Sequence, residues 1–288
     1  MAATTNGASN GKAHAAFDSS SVVPLFLDGK QVTTSSTFDV ESPVDNKVCW
    51  KCSSATEEDV QKAIASSEKA FKTWSKTKPT TRRDIFLKAA QLLKQKEEEA
   101  MLYSNTETGA AESMFRFEYN LAYEGCMTLG GLIQSVQGSV PTISEEGSSA
   151  IMLKEPYGVC LGIAPWNAPH VLGMRACLAP IAMGNTVVLK CPEFSPATYW
   201  NFVNILHEAG LPAGVLNTIY HKREDAAQIT NALITSPAIK KVNFTGSTNV
   251  GSIIASLCGK NLKPCLMELG GKVCSSYVTS RHHKHRIN

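Results

Sequence analysis

The stretch "IKKVNFTGSTNVGSIIASLCGKNLKPCLMEL" (239–269) predicts a strand, a helix and a second strand. Its two ends, 239–246 and 263–269, are short and rich in apolar and β-branched residues, whereas 248–258 has helical spacing. Short apolar strands separated by helices of ten or more residues are typical of βαβ units. The stretch therefore favours a buried parallel sheet.

The same alternation extends upstream to residue 159. We predict strands at 159–164, 185–190 and 214–220, and helices at 170–183, 196–209 and 224–234. The predicted fold class is α/β, with a Rossmann-like parallel sheet and flanking helices. Ligands of such sheets bind beyond the carboxyl ends of the strands, so polar residues there are candidate site residues.

The part of the chain before residue 138 predicts a different pattern. "VPLFLDGKQV" (23–32) and "FDVESPVDNKVCWKCS" (38–53) are typical of short strands separated by turns. Helices are expected from Thr56 to about Trp74, from about Thr80 onward, and from about 111 to 136. Residues 138–156 predict a hairpin, and the small, polar residues 1–21 predict disorder.

Composition excludes some classes of function. The chain has 28 basic and 25 acidic residues, and Arg281, Lys284 and Arg286 of the C-terminal tail account for the excess. No basic face for nucleic acid is expected. We find no secretory signal and no apolar run long enough for a membrane span, which predicts a cytoplasmic protein without membrane partners.

Nine cysteines without a signal peptide indicate free thiols rather than disulfides. Cys49 and Cys52 form a C-x-x-C, which could indicate a redox or metal site. No second pair lies at a metal-site spacing, so we favour two cysteines of one strand and predict no metal site.

Two strand ends resemble parts of a dinucleotide site. Gly246 permits a sharp turn after one strand, and Ser247 begins a helix whose free N–H groups favour an anion. A plain strand–helix turn is the alternative, since the spacing is not G-x-G-x-x-G. Lys190 and Glu193 follow another strand, where a carboxylate could accept both hydroxyls of an adenosine ribose. A surface salt bridge is the alternative for this pair.

Two further strand ends carry candidate catalytic groups. Asn167 has an amide that could donate to a developing oxyanion, although an Asx-turn is an alternative. Glu268 follows Leu266 and Met267, and desolvation by such neighbours would raise the pKa of a general base. Pairing of Glu268 with Lys272 is the alternative.

Five segments in this order resemble the aldehyde dehydrogenase superfamily. They are "EPYGVCLGIAPWNAP" (155–169), "APIAMGNTVVLKCPE" (179–193), "AGLPAGVLN" (209–217), "VNFTGSTNVG" (242–251) and "LMELGGK" (266–272). The resemblance extends over about residues 23–272. Within the superfamily, the sequence pattern is similar to that of fungal and bacterial enzymes that act on aromatic aldehydes of the salicylaldehyde or vanillin type.

The resemblance implies roles for the candidate residues. Asn167 would stabilise the oxyanion of a thiohemiacetal, and Glu268 would activate water to hydrolyse a thioester. NAD would be the cofactor, and NADP is less favoured because Glu193 would repel a 2′-phosphate. The implied cofactor-binding residues are Ile163, Ala164, Pro165, Trp166, Lys190, Glu193, Gly246, Ser247, Val250, Leu269 and Gly270.

The resemblance also implies the domain organisation and the partners. Residues 22–137 and 157–272 would form a discontinuous dinucleotide-binding domain, and the hairpin 138–156 would join subunits of a homo-oligomer. Residues 273–288 diverge from the family pattern and predict a disordered tail. An aldehyde would be the substrate.

The sequence departs from the family at the nucleophile. The family's nucleophilic cysteine is expected a few tens of residues after Glu268, and that position lies beyond Asn288. Neither Cys265 nor Cys274 fits the role of nucleophile. We therefore expect a chain truncated before its catalytic domain, with an exposed sheet edge and an apolar face. Three functions stay open: an NAD-dependent aldehyde dehydrogenase, an inactive dinucleotide-binding fragment, or an interaction partner of a full-length homologue.

Overall fold

The computed structural model describes residues 17–271 and confirms the α/β class. The strands are β1 (Val22–Val23), β2 (Leu25–Leu27), β3 (Lys30–Val32), β4 (Thr37–Glu41), β5 (Val48–Ser53), β6 (Val159–Ile163), β7 (Thr186–Lys190), β8 (Leu216–Ile219), β9 (Ile239–Gly246) and β10 (Cys265–Leu269). The helices are α1 (Glu57–Trp74), α2 (Pro79–Gln95), α3 (Glu97–Thr108), α4 (Glu112–Leu132), α5 (Pro169–Ala182), α6 (Pro196–Glu208), α7 (Ala226–Thr235) and α8 (Thr248–Lys260).

The main sheet has seven strands in the order β10-β9-β6-β7-β8-β2-β3. The five strands from β10 to β8 run parallel, while β2 and β3 extend the sheet in antiparallel fashion. A smaller sheet has the order β1-β5-β4. Every residue of β6 and β8 is buried, as expected for central strands covered by helices on both faces.

Helices pack on both faces of the main sheet. α7 packs against both α1 and α8, and these three helices lie against β6 to β10, while α5 lies against β6, β7 and β9 and packs on α6. α2, α3 and α4 form an outer layer on α5 and α6. α1 begins with a hydroxyl cap, since Thr56 and Asp59 form a capping box. No helix within residues 17–271 is long and apolar enough to cross a membrane.

The segment 138–156, predicted as a hairpin, pairs in antiparallel fashion at one point only. One antiparallel bridge joins Ser139 and Met152 through two backbone hydrogen bonds of 3.0 and 2.8 Å, and no strand forms around it. Val140, Ile151 and Leu153 are exposed, so no core packs against the segment. A two-stranded ribbon without such packing is marginally stable, which explains the single bridge.

Two other predictions need correction at their boundaries. Disorder predicted over 1–21 is wrong for residues 17–21, because Phe17 packs against the rings of Trp50, Tyr103 and Trp200. Residues 1–16 and the predicted tail 273–288 lie outside the described part of the chain. α3 is an additional helix that the sequence did not predict separately from its neighbours.

The cysteines of residues 17–271 are free thiols, as predicted. Cys49 and Cys52 are free thiols of β5, and Cys160, Cys177 and Cys191 are free and buried in the core. No cluster of three metal-ligating side chains occurs in this part of the chain.

Candidate active site

The four strand ends that carry the candidate residues meet at one edge of the main sheet. β10, β9, β6 and β7 are neighbours and run parallel, so their carboxyl ends lie side by side. A cavity of about 760 Å³ opens between α7 and α8 and reaches Lys190. A smaller cleft of about 380 Å³ contains Asn167 and Glu268.

Lys190 places a cation in the larger cavity. Burial lowers the pKa of its ammonium group, and the carboxylate of Glu193 partly offsets this effect. The ammonium group makes no hydrogen bond and no ion pair with any residue of the described chain. The surface salt bridge considered as an alternative is therefore not formed, and the donors of Lys190 are available to a ligand.

The walls of this cavity are mainly apolar. Ile163 at the end of β6 and Phe244 of β9 lie on the sheet side, and Val250 and Ile253 lie on α8. A mainly apolar cavity with two lysines in its lining, Lys190 and Lys260, suits a flat aromatic ring joined to a polar group.

The first turn of α8 presents free backbone donors beside the cavity. Ser247 is the N-cap, and its hydroxyl accepts a hydrogen bond of 3.3 Å from the Val250 N–H. The N–H groups of Thr248 and Asn249 have no acceptor in the described chain. Such a helix N-terminus favours an anion such as a pyrophosphate.

Two glycines allow the turn between β9 and α8 to pack tightly. A Cβ at Gly246 would lie 2.6 Å from the ring of Phe244, and one at Gly251 would lie 2.3 Å from Leu269. Gly246 also accepts a backbone hydrogen bond of 3.0 Å from Gly270. This hydrogen bond fixes the end of β9 against the end of β10.

Glu193 acts electrostatically on Lys190 but lines a different cavity. Its half-buried side chain lines a neighbouring cavity of about 690 Å³ together with Trp166 and Phe194. The rings of Trp166 and Phe194 meet edge to face at 6.0 Å, which joins the loop after β6 to the loop after β7.

The smaller cleft brings the two candidate catalytic residues together. Asn167 and Glu268 line it with Pro165, Leu269 and Gly270. The Asn167 amide makes no hydrogen bond within the described residues, so the Asx-turn alternative is not formed. An amide donor and a carboxylate therefore face the same space.

The expected desolvation of Glu268 is not observed in residues 17–271. Its side chain is exposed because β10 is the edge strand of the sheet, and Leu266 and Leu269 are exposed beside it. The predicted exposed edge and apolar surface are thus confirmed for the described chain. Lys272, the alternative partner of Glu268, lies outside the described residues.

No thiol of residues 17–271 lines this cleft. Cys265 is exposed but lies at the opposite end of β10 from Leu269, about 10 Å from Glu268 at the usual strand rise. Burial raises the pKa of Cys160 and of Cys258 to about 11. Cys274 lies outside the described residues.

Some residues of the site were not predicted. Leu172 and Thr245 line the smaller cleft. Tyr199 of α6 donates a hydrogen bond of 2.8 Å to the Pro165 carbonyl and so fixes the loop that carries Asn167. Of the predicted residues, Ala164 is buried in the core and lines neither cavity.

Comparison with known proteins identifies the family. Residues 31–276 match the profile described as "Aldehyde dehydrogenase family". The chain belongs to the aldehyde dehydrogenase family. A vanillin dehydrogenase of Pseudomonas sp. (strain HR199) is 42% identical over 252 residues, which are 87% of this chain and 52% of that protein.

Solved aldehyde dehydrogenases agree with this assignment. The salicylaldehyde dehydrogenase of Pseudomonas putida G7, solved with salicylaldehyde, superimposes with a TM-score of 0.85 at 37% identity, covering 87% of this chain and 52% of that one. An NAD-dependent aldehyde dehydrogenase from Sinorhizobium meliloti superimposes with a TM-score of 0.82 at 30% identity, covering 88% and 51%. The chain therefore spans about half the length of these aldehyde dehydrogenases.

Proposed function

We propose that this chain is the NAD-binding part of an enzyme that oxidises an aromatic aldehyde to the carboxylic acid. The observation that carries the proposal is the unpartnered Lys190 ammonium group beside the free first turn of α8. The similarity to a vanillin and a salicylaldehyde dehydrogenase supports an aromatic substrate.

The donor set of the site fits NAD. The cavity between α7 and α8 suits the adenine ring, and Lys190 suits a ribose hydroxyl. The N–H groups at the start of α8 suit the pyrophosphate. Glu193 would accept from the adenosine ribose and repel a 2′-phosphate, which favours NAD over NADP.

The smaller cleft would hold the reacting groups. NAD supplies a hydride acceptor there when it is bound. The Asn167 amide would donate a hydrogen bond to the oxygen of the aldehyde as negative charge develops on it. The Glu268 carboxylate would accept a proton from an attacking water. Since no thiol of residues 17–271 lines this cleft, we propose that the 288-residue chain binds NAD without oxidising aldehydes.

Calorimetric titration of the purified chain with NAD tests the proposal. We expect saturable binding that Lys190→Ala abolishes. Lys30→Ala, which removes an exposed cation from β3 at the other edge of the sheet, should leave binding unchanged. Equal affinities of the Lys190→Ala variant and the unsubstituted chain would contradict the proposed site. Steady NADH formation with benzaldehyde or vanillin would contradict the proposed lack of turnover.

Association with other subunits is a second candidate function. Val140, Ile151 and Leu153 of the segment 138–156 are exposed apolar side chains, which are typical of a protein interface. We propose that this segment joins a second copy of the chain or a full-length homologue. Analytical ultracentrifugation should show an oligomer that Ile151→Ser with Leu153→Ser dissociates, and a monomer in both cases would refute this candidate.

A further inference from the structure

The helices that follow the loops after β6 and β7 lack a local N-terminal cap. α5 begins at Pro169 and α6 at Pro196, and neither N-cap residue, Ala168 or Ser195, makes a side-chain cap hydrogen bond. The Ser195 hydroxyl is buried without a partner. The free N–H groups of each first turn must therefore be satisfied from elsewhere.

A carboxylate from α3 satisfies the first turn of α6. Glu107 Oε1 accepts hydrogen bonds from the Ala197 N–H at 2.7 Å and the Trp50 indole N–H at 2.8 Å. Its Oε2 accepts from the Thr198 N–H at 2.8 Å and the Thr198 hydroxyl at 2.6 Å. Since Pro196 has no N–H, this one side chain binds every free backbone donor of the turn.

The position of this cap ties it to the nucleotide site. Ser195 lies two residues after Glu193, so the first turn of α6 fixes the downstream end of the loop that carries Glu193. Glu107 and Glu193 also line the same cavity. Glu107 is buried, with 3% of its surface exposed, and its carboxylate accepts hydrogen bonds from Trp50, Ala197 and Thr198.

We infer that Glu107 is a positioning residue of the nucleotide site, which sets the Glu193 loop by capping α6. The inference rests on the proposed binding of NAD. Glu107 contacts no ligand in this arrangement and acts through Glu193. A cap with a purely structural role would change the stability of the fold but leave the affinity of the folded protein for NAD unchanged.

The same arrangement recurs at the neighbouring helix. Glu118 of α4 accepts a hydrogen bond from the Val171 N–H at 3.1 Å and contacts His170 Nδ1 at 3.1 Å, both in the first turn of α5. α5 follows the loop that carries Asn167. By contrast, the hydroxyl of Ser247 caps α8 locally. The outer helical layer thus supplies one carboxylate to the first turn of α5 and one to the first turn of α6.

A double-mutant cycle separates positioning from stability. Glu107→Gln keeps the size of the side chain but leaves one carbonyl oxygen for four donors. We expect Glu107→Gln and Glu193→Gln each to raise the Kd for NAD about tenfold, the scale of one hydrogen bond to a charged group. In the Glu193→Gln background, Glu107→Gln should change the Kd by less than about twofold, because both changes act on one contact.

The control for the cycle is Glu98→Gln, an exposed carboxylate of the same helix that pairs with Arg116. It should leave the Kd unchanged. If Glu107→Gln does not fold, Glu107→Asp retains the charge with a shorter reach and should show a smaller increase in Kd that also vanishes with Glu193→Gln.

The outcomes distinguish the inference from the function on which it rests. If the unsubstituted chain does not bind NAD, both are overturned. If it binds NAD and Glu107→Gln leaves the Kd unchanged, or weakens binding equally with and without Glu193, only the positioning role is overturned.

Discussion

His221 provides a stability prediction whose sign depends on pH. The residue is fully buried just beyond β8, and its Nδ1 lies 2.8 Å from the Lys222 carbonyl, to which the neutral ring donates. Burial and, to a smaller extent, the nearby charge of Lys190 lower the pKa of His221 to about 4 from the usual 6.5. Since the folded pKa is depressed, His221 is expected to destabilise the fold as pH falls from 6.5 towards 4.

Glu107 acts in the opposite direction. Burial raises the pKa of Glu107, and its four hydrogen-bond donors oppose part of that rise. The resulting pKa is about 7, compared with the usual 4.5. Its contribution to stability is therefore fully present below pH 4.5 and is lost as pH rises through 7. Between about pH 7.5 and about pH 5, each group changes the free energy of unfolding by about 2 kcal/mol, with opposite signs.

Urea denaturation of three proteins at these two pH values measures both effects. His221→Asn retains an amide donor for the Lys222 carbonyl. On acidification, the free energy of unfolding of this variant should rise by about 2 kcal/mol relative to that of the unsubstituted chain. On the same acidification, the free energy of unfolding of Glu107→Gln should fall by about 2 kcal/mol relative to that of the unsubstituted chain. Titrations common to all three proteins cancel in these differences. If the differences stay constant with pH, the pKa assignments are refuted.

Four further substitutions test the packing around the site and the exposed edge of the sheet. Gly251→Ala should destabilise the fold by about 1–3 kcal/mol in thermal unfolding, because its Cβ meets Leu269. Gly259→Ala has open space around its Cβ and should stabilise α8 by about 0.5–1 kcal/mol. Tyr199→Phe removes the hydrogen bond to the loop after β6 and should cost about 1 kcal/mol in urea denaturation. Leu266→Lys on the edge strand should reduce self-association in light scattering, and unchanged scattering would show that this edge does not drive association.

The parallel part of the sheet could be predicted because its signals are local. β6, β7 and β9 are short apolar runs bounded by glycine or proline, and the structure places each within one residue of the predicted bounds. The strand order then brings Asn167 and Glu268 into one cleft. The cap at Ser247 follows from the same local rules.

Features that depend on distant residues could not be predicted in this way. Glu107 and Glu118 occur in helical patterns where a carboxylate usually indicates a solvated face, yet they bind helices 90 and 53 residues away. The exposure of Glu268 follows from the edge position of β10, which the apolar neighbours in its own strand do not reveal. The segment 138–156 has strand-like composition, but only one bridge forms because no core packs on it.

The most direct test of the account is a crystal structure of the chain with NAD. The account predicts the adenine ring between α7 and α8, a ribose hydroxyl beside Lys190 Nζ, and the pyrophosphate on the N–H groups of Thr248 and Asn249. NAD bound elsewhere on the molecule, with Lys190 still without a polar contact, would contradict it.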